Sequence, residues 1–261
     1  MSKFETIKTE KNDNIAIITL NRPTKLNAMN ELCLDELYKS MIDFEKDNEV
    51  RVIIIQGAGE KAFSAGADIN ELANATPEFI EPYNRKWLKF FDSVEKSSKP
   101  VIASIHGWAT GGGTELSVCC DFVVCSNDSL FGLTEINIGV FPGAGAAIRL
   151  TRHMGRIKAK EILMLGDFIS GEKAVEFGLA NISVTREKLL ETTMELAKKL
   201  ANKAPLALAA IKRTINIGSE LDYDAGLEYE LAEFMKLFTT EDQKEGMKAF
   251  FEKRKPNFKG K

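Results

Sequence analysis

The chain has 261 residues, of which 44% are apolar and 28% are charged, and its formal net charge is -3. This composition excludes an intrinsically disordered chain, and the acidic balance excludes the broad basic surface that binds a nucleic-acid backbone. No apolar run approaches the ~20 residues that cross a bilayer, and the opening MSKFETIKTEKND is too polar for a signal peptide. We therefore expect a cytoplasmic protein that binds neither nucleic acid nor a membrane.

Strand and helix signals alternate over most of the chain. Apolar residues recur with a helical period from about residue 30 to residue 47, and a second helical stretch runs from about residue 77 to residue 96. Short apolar runs closed by turn residues predict buried strands in the segments NIAIITLNRP, VRVIIIQGAG, KPVIASIHG and DFVVCS. Because strands alternate with helices, the sequence predicts an α/β fold in which helices cover buried sheets.

After about Asn202 the strand signals stop. The segments APLALAAIKRTINIG, DYDAGLEYELAEFMKLF and TEDQKEGMKAFFEKRK predict consecutive amphipathic helices, the last of them opened by Thr240. Apolar faces on such a helical tail are often covered by a neighbouring subunit, so we expect a homo-oligomer. The sequence divides into a core over residues 1–201 and a helical region over residues 202–261.

The cysteines and histidines do not predict a metal site. Three of the four cysteines cluster in SVCCDFVVC, where cysteine behaves as a small hydrophobic residue, and there is no CxxC pair. His106 and His153 are isolated in the sequence, and we expect both to be hydrogen-bonded structural residues.

Glycines interrupt two segments that precede predicted helices. Gly111–Gly113 stand in GWATGGGTELSVCCD, where a helix begins and its free N–H groups carry partial positive charge. Missing side chains there would admit a ligand oxygen that becomes negative, and a tight strand-to-helix turn explains the glycines equally well. A second small-residue loop, Ser64–Ala67, precedes Asp68, which is suited to cap the next helix. Two such loops that face each other would grip one oxygen from two sides.

Two glutamates follow these loops. Glu115 lies in the first turn of the predicted helix, where the helix dipole alone explains an acidic residue. Glu135 lies in the apolar stretch SLFGLTEINIGVFPGAG, where burial of a lone acid is costly unless it is paired or functional. A single buried glutamate is usually a structural acceptor, whereas two acids near an oxyanion site form a candidate acid/base pair.

Other enzyme motifs match less well. PGAGAAIRL has the first two glycines of a dinucleotide fingerprint, but Ile148 stands at the third position and no buried strand directly precedes the turn. Ser64 and Ser117 lack the GxSxG elbow or the positioned histidine that a serine nucleophile needs. These comparisons disfavour a nicotinamide-dependent enzyme and a serine hydrolase.

The sequence resembles the crotonase, or enoyl-CoA hydratase, superfamily over essentially its whole length. The resemblance rests on NRPTKLNAMN, GEKAFSAGADI, KPVIASIHGWATGGGTELSVCCD, FGLTEINIGVFPGAGAAIRLTRHMG and TTEDQKEGMKAFFEKRKPNFKGK. It implies a ClpP-like spiral of β-β-α turns over residues 1–201 and a helical region over residues 202–261 that forms trimers. A hexamer built as a dimer of trimers is the common assembly of such proteins.

The resemblance also implies the parts of an active site. The backbone N–H groups of Ala67 and Gly112 would form an oxyanion hole for a thioester carbonyl, and the glycines would admit the thioester oxygen to the helix end. Glu115 and Glu135 would hold one water, which Glu115 activates for attack at C3 while Glu135 delivers a proton to C2. Coenzyme A is part of the substrate, and no other cofactor is implied. The expected coenzyme A and substrate contacts are Lys25, Leu26, Ala65, Ala67, Asp68, Ile69, Gly112, Phe234 and Lys253.

The sequence departs from the family pattern in three places. Thr134 stands where proline commonly precedes the second glutamate, Thr114 replaces a frequent cysteine, and GAGAAIRL replaces GxGGTQRL, removing polar groups near the expected pocket floor. The resemblance favours an enoyl-CoA hydratase of fatty acid β-oxidation, acting on short chains. The alternatives are another crotonase activity, such as enoyl-CoA isomerisation or hydration of a cyclic or 3-hydroxypropionyl thioester, and a non-catalytic RNA-binding relative. The acidic balance and the presence of both glutamates argue against the last.

Overall fold

The computed structural model describes residues 4–73 and 75–261, and the strands in these ranges form two sheets. The larger sheet is parallel except for the antiparallel pair at its edge, Ile7–Asn12 with Ile15–Leu20. Its strands, in spatial order, are β1 (Ile7–Asn12), β2 (Ile15–Leu20), β3 (Val52–Gly57), β5 (Val101–Ile105), β7 (Phe122–Ser126) and β10 (Ile182–Val184).

Within the described residues, the smaller sheet has four short strands, and the first three of these along the chain each come directly after a strand of the larger sheet. They are, in spatial order, β4 (Ala62–Ser64), β6 (Trp108–Thr110), β8 (Leu130–Gly132) and β9 (Ile169–Ser170). β4, β6 and β8 run parallel, whereas β9 pairs antiparallel with β8. The chain thus repeats one order: a long strand, a short strand in the second sheet, and then helix. The predicted α/β fold with β-β-α turns is confirmed.

Helices connect these turns and complete the chain. They are α1 (Glu31–Lys46), α2 (Ile69–Leu72), α3 (Pro77–Glu95), α4 (Gly112–Cys119), α5 (Ala146–Leu165), α6 (Gly171–Glu176), α7 (Leu189–Ala201), α8 (Pro205–Arg213), α9 (Tyr223–Leu237) and α10 (Glu241–Phe251). Side-chain caps explain several of the starts: Asn30 accepts a hydrogen bond from the Cys33 N–H, and Thr240 accepts one from the Gln243 N–H. The helices predicted at residues 30–47 and 77–96 therefore begin and end close to the expected positions.

The larger sheet is buried on both faces. Ile53 and Ile55 of β3 belong to the main core cluster, together with residues of α1 and α3. Val52 and Ile54 of the same strand pack in a second cluster with residues of α7. Burial on both faces explains why these strands read as continuous apolar runs instead of alternating ones.

The C-terminal helices are tied to the core by a buried ion pair. Lys212 of α8 contacts Asp121 at 2.7 Å and also donates to the Val94 carbonyl at 3.0 Å. The helices predicted after Asn202 are present, and α8 continues through a wider π-helical turn, Thr214–Gly218. α7 ends at Ala201, and the division of the chain between residues 201 and 202 stays a prediction.

Two features bear on ligands and environment. Within residues 4–73 and 75–261, no group of three or more His, Cys, Asp or Glu side chains is arranged to hold a metal ion. In the same residues, no helix combines the length and the apolar character needed to span a bilayer.

Candidate active site

The two small-residue loops identified in the sequence lie directly against each other. Strands β4 and β6 are parallel neighbours, so the loops that follow them leave the smaller sheet at the same edge. Gly66 makes the closest approach, since a Cβ at that position would come within 2.8 Å of the Gly112 nitrogen and 2.7 Å of the Thr110 carbonyl oxygen. Gly66 also has a φ of +84°, a conformation that side chains disfavour. The fold thereby brings the loops into contact, which the sequence alone left open.

Within residues 4–73 and 75–261, the Ala67 and Gly112 amides have no internal acceptor. Around Ala67, the Met29 N–H donates to the Gly66 carbonyl at 2.7 Å, and the Asp68 N–H donates to the Met29 carbonyl at 3.1 Å. In this parallel bridge the Ala67 N–H points away from Met29. Gly112 is the first residue of α4, where N–H groups have no partner within the helix. Among the described residues neither amide donates a hydrogen bond, so both are available to an external oxygen.

The glycine run has a different purpose from the one expected. A Cβ at residue 112 would come within 2.5 Å of the Trp87 ring, and a Cβ at residue 113 within 2.5 Å of the Ser64 carbonyl oxygen. Gly111 has a φ of +51°, and a Cβ there would come within 2.7 Å of Glu135 Oε1. The expectation that the absent side chains make room for a ligand is therefore wrong for Gly112 and Gly113, whose side-chain positions are filled by protein atoms.

Glu115 is a buried acid held by main-chain donors. It is 5% exposed in the first turn of α4, and its Oε1 accepts hydrogen bonds from the Ala144 and Ala146 N–H groups, both at 3.1 Å. Burial raises the pKa of Glu115 to about 7, and the nearby charge of Glu135 adds to this, whereas the two amides act in the opposite direction. The geometry thus fixes one oxygen of the carboxylate and leaves the other for a further partner.

Glu135 approaches the same helix end from the next turn of the spiral. It begins a short 3₁₀ helix, Glu135–Ile138, that follows β8. Its Oε2 is buried without a hydrogen-bond partner among the described residues, and burial raises the pKa of this carboxyl. Two acids with different hydrogen-bonding environments therefore converge at the start of α4.

Thr114 helps to hold the β8 end beside α4. Its hydroxyl donates to the Ala109 carbonyl at 2.6 Å, and the Gly132 N–H donates to that hydroxyl at 3.3 Å. The Gly111 N–H also donates to the Gly132 carbonyl at 2.8 Å. The structure thus explains the threonine at this position, because its hydroxyl joins β6 and β8 close to Glu135. The hydroxyl of Thr134, by contrast, caps no helix.

The expected coenzyme A residues of the first half of the chain lie together. The Ala65 N–H donates to the Leu26 carbonyl at 2.9 Å, so the loop with Lys25 and Leu26 runs beside the Ser64–Ala67 loop. Lys25 is exposed, and Ile69 projects into solvent with 66% of its surface accessible. An elongated ligand that reaches the Ala67 amide would pass along these two loops.

Asp68 has an internal structural role. Its carboxylate pairs with Arg22 at 3.0 Å and accepts hydrogen bonds from Asn70, the second residue of α2. Arg22 in turn donates to the Ala28 carbonyl, joining the two loops from behind. Sequence reasoning missed Arg22, although it stands within the NRP turn that precedes the loop.

The two expected contacts from the C-terminal region, Phe234 and Lys253, are both exposed. Phe234 is 56% exposed on α9, and its ring packs on Phe238, which directly follows this helix, with centroids 5.1 Å apart. Lys253 follows α10, has a φ of +53° and is exposed. Neither makes a hydrogen bond or ion pair with residues 64–69 in the part of the chain that the structure describes. Their contribution to a site stays a prediction.

Comparison with known proteins assigns the family. The model for the family described as enoyl-CoA hydratase/isomerase matches residues 10–261. The chain belongs to the enoyl-CoA hydratase/isomerase family. The resemblance to crotonases drawn from the sequence is thereby confirmed.

Individual relatives of this enoyl-CoA hydratase/isomerase family member match along nearly their whole length. A probable enoyl-CoA hydratase of Rhizobium meliloti is 40% identical over 256 residues, covering 98% of each chain. A short-chain-enoyl-CoA hydratase of Clostridium acetobutylicum is 39% identical and covers 94% of each chain. The crystal structure of enoyl-CoA hydratase from Bacillus anthracis has a TM-score of 0.95 at 37% identity, covering 98% of this chain and 100% of that one. These names agree with the predicted enzyme class.

Proposed function

We propose that the chain is an enoyl-CoA hydratase that adds water reversibly to a 2-trans-enoyl-CoA and yields a 3-hydroxyacyl-CoA. The observation that carries this proposal is that two glutamates with different hydrogen-bond partners lie beside two backbone amides without acceptors. Glu115 is gripped by main-chain donors, Glu135 has a free buried oxygen, and the Ala67 and Gly112 N–H groups lack acceptors among the described residues. The names of the relatives agree with it.

The two amides would polarise the thioester. Hydrogen bonds from Ala67 and Gly112 to the carbonyl oxygen strengthen as that oxygen gains negative charge during attack on the conjugated double bond. Each donor of this kind contributes about 3 kcal/mol to a transition state in acyl chemistry. Positive partial charge at the start of α4 acts in the same direction at Gly112.

The two glutamates would position one water and transfer its protons. The Glu115 carboxylate accepts a proton as the water oxygen bonds to C3, and Glu135 gives its proton to C2 as the enolate collapses. Both new bonds form on the same face, because both acids approach from the same end of α4. Two amide donors favour the charged form of Glu115, whereas an unpaired oxygen on Glu135 suits a proton donor.

Coenzyme A would be bound as part of the substrate, with no separate cofactor. The loops of Lys25, Leu26 and Ala65–Ile69 would carry it, and Phe234 and Lys253 would come from a neighbouring copy or from a rearranged C-terminal region. Exposed apolar side chains along α9, including Leu231 and Met235, support a homo-oligomer, which we propose is a trimer or a dimer of trimers. A short-chain preference and a cytoplasmic location complete the proposal. A 38% identical relative of Syntrophomonas wolfei is named crotonyl-CoA hydratase, in keeping with a short acyl chain.

Mixing the purified protein with crotonyl-CoA tests the proposal. Hydration removes the absorbance of the conjugated enoyl thioester, and a reaction in H₂¹⁸O places the label on C3 of the product. The variant Glu172→Gln, which changes an exposed glutamate on α6, should leave turnover unchanged and serves as the control. Absence of labelled product, or conversion of a 3-enoyl-CoA without incorporation of oxygen, would replace the hydratase by a binding protein or an isomerase, respectively.

A further inference from the structure

An ion pair that the proposed reaction does not use lies behind Glu115. Arg149 in the first turn of α5 contacts Glu95 at the end of α3, with Nη2 2.8 Å from Glu95 Oε2 and Nε 3.2 Å from the same oxygen. Only 13% of the Arg149 side chain is exposed, and its guanidinium lies 5.9 Å from the centroid of the Phe91 ring. A two-point contact with a carboxylate fixes the plane of the guanidinium as well as its position.

The third guanidinium nitrogen is directed at the loop that holds Glu115. Arg149 Nη1 donates to the Ala144 carbonyl at 2.8 Å. The N–H groups of Ala144 and Ala146 are the donors to Glu115 Oε1. Gly145 stands between them with a φ of +104°, and a Cβ there would collide with Arg149 Nη1. The guanidinium is therefore packed onto the turn that aims both amides at one carboxylate oxygen.

We propose that Arg149, oriented by Glu95, is a positioning residue that holds the Ala144 and Ala146 amides on Glu115 and keeps this acid in its carboxylate form for water activation. This inference rests on the proposed hydratase function. The contacts run from Glu95 of α3 through Arg149 of α5 to Glu115 of α4. Arg149 makes no hydrogen bond to Glu115 itself and acts through the Ala144 and Ala146 segment.

The charges around Glu115 give the direction of the effect. Burial and the charge of Glu135 raise its pKa, and the two amides and the positive charge of Arg149 lower it. Besides Glu135, the titratable groups near Glu115 and Arg149 are Cys119, Asp92, Glu95 and His153. Removing Arg149 deletes one lowering effect directly and weakens the amide contacts, so the pKa of Glu115 rises. A base works only when ionised, so activity at low pH is then lost first.

The pH profile of hydration separates this role from a merely structural one. In Arg149→Met we expect the acid limb of kcat to move upward by about 1 pH unit, the low end of the effect of one adjacent opposite charge. Turnover near pH 6 then falls roughly tenfold, while turnover near pH 9 and KM stay within about twofold of wild type. Arg149→Lys keeps the charge without the two-point contact, and we expect it to recover part of the shift. Arg152→Met, on the same helix with an exposed arginine, should leave the profile unchanged.

Two further measurements keep the outcome decisive. Glu95→Gln leaves Arg149 in place but weakens the contact that orients its guanidinium. We expect this variant to shift the acid limb of kcat in the same direction as Arg149→Met, by a smaller amount. It therefore tests the proposal even if Arg149→Met does not fold. The ¹³C signal of the Glu115 carboxyl, assigned by its absence in Glu115→Gln, should titrate at higher pH in the Arg149 and Glu95 variants without any need for turnover. An unmoved titration, or a kcat reduced equally at every pH, would overturn the role of Arg149. An inactive wild-type enzyme with a shifted titration would overturn only the hydratase function.

Discussion

The two acids of the candidate site stand in contrasting surroundings. Glu115 belongs to α4, in which every residue from Gly112 to Cys119 is buried. Glu135 begins a short 3₁₀ helix, and apolar residues in this helix and just after it face solvent. Ile138 is 65% exposed and Phe141 is 69% exposed. Both pKa values are raised by burial, but Glu115 is held by the Ala144 and Ala146 N–H groups, whereas Oε2 of Glu135 has no partner among the described residues. The environment thus suits the same residue type to two roles, because Glu115 is oriented by the core and Glu135 lies on a surface segment.

Removing the proton donor should have the largest effect. In Glu135→Gln we expect kcat for crotonyl-CoA hydration to fall by roughly 10²–10⁴-fold, the usual contribution of a general acid. Binding of a saturated acyl-CoA, measured by calorimetry, should be largely retained because the amides of Ala67 and Gly112 are untouched. Unchanged turnover would remove Glu135 from the chemistry and leave Glu115 as the sole acid.

Displacing Glu135 without removing it should have an intermediate effect. In Gly111→Ala the new Cβ would come within 2.7 Å of Glu135 Oε1, so the carboxylate must shift while the amides on Glu115 remain. A misplacement of about 1 Å costs on the order of 10²-fold in rate, and we expect a loss of kcat of roughly 10–100-fold.

Gly139→Ala is the matched control for this change. Gly139 also has a positive φ, of +81°, and a Cβ there has nothing within 4 Å, so the variant places a side chain at positive φ without the contact. Both variants should lose about 1–2 kcal/mol of stability in urea unfolding, but only the Gly111 variant should lose activity. Equal activity loss in the two would mean that strain, and not the position of Glu135, is responsible.

Neutralising Glu115 should stabilise the fold in a pH-dependent way. The folded-state pKa of about 7 lies above the unfolded value of about 4.3, so the folded state binds more protons between these pH values. Wild-type stability therefore falls as pH rises through this window, whereas Glu115→Gln has no charge to bury. We expect the variant to gain about 2 kcal/mol more at pH 8 than at pH 5, measured by urea unfolding. A gain that is the same at both pH values would contradict the raised pKa.

Truncation of an exposed apolar side chain near Glu135 should have the smallest effect. Ile138→Ala removes atoms that already face solvent, and it should cost less than about 0.5 kcal/mol. Leu116→Ala, next to Glu115 in the sequence and fully buried, should cost about 2–5 kcal/mol as the comparison. A larger loss at Ile138 that grows with protein concentration would identify this segment as a contact between copies.

Much of the fold could be predicted because local signals and burial agree. The helix at residues 30–47 has a capping asparagine and a clear apolar stripe, and the strands of the larger sheet are continuous apolar runs because both of their faces are covered. The smaller sheet could not be predicted in the same way. β6 and β8 each span three residues, which is too short for an alternating pattern, and their pairing joins residues far apart in the chain.

The sequence by itself determined the main helices, the apolar strands of the larger sheet, the family and the residue types of the candidate site, since helix caps, apolar periodicity and the glycine and acid motifs are local. Tertiary structure alone decided how these parts meet. Gly66 packs against Gly112, Trp87 fills the side-chain position of Gly112, and Arg149 holds the amides that grip Glu115. The physical reason is that burial and hydrogen-bond geometry depend on neighbours from distant turns of the spiral. These neighbours place two carboxylates of the same residue type in different environments, and the environments suit them to different roles.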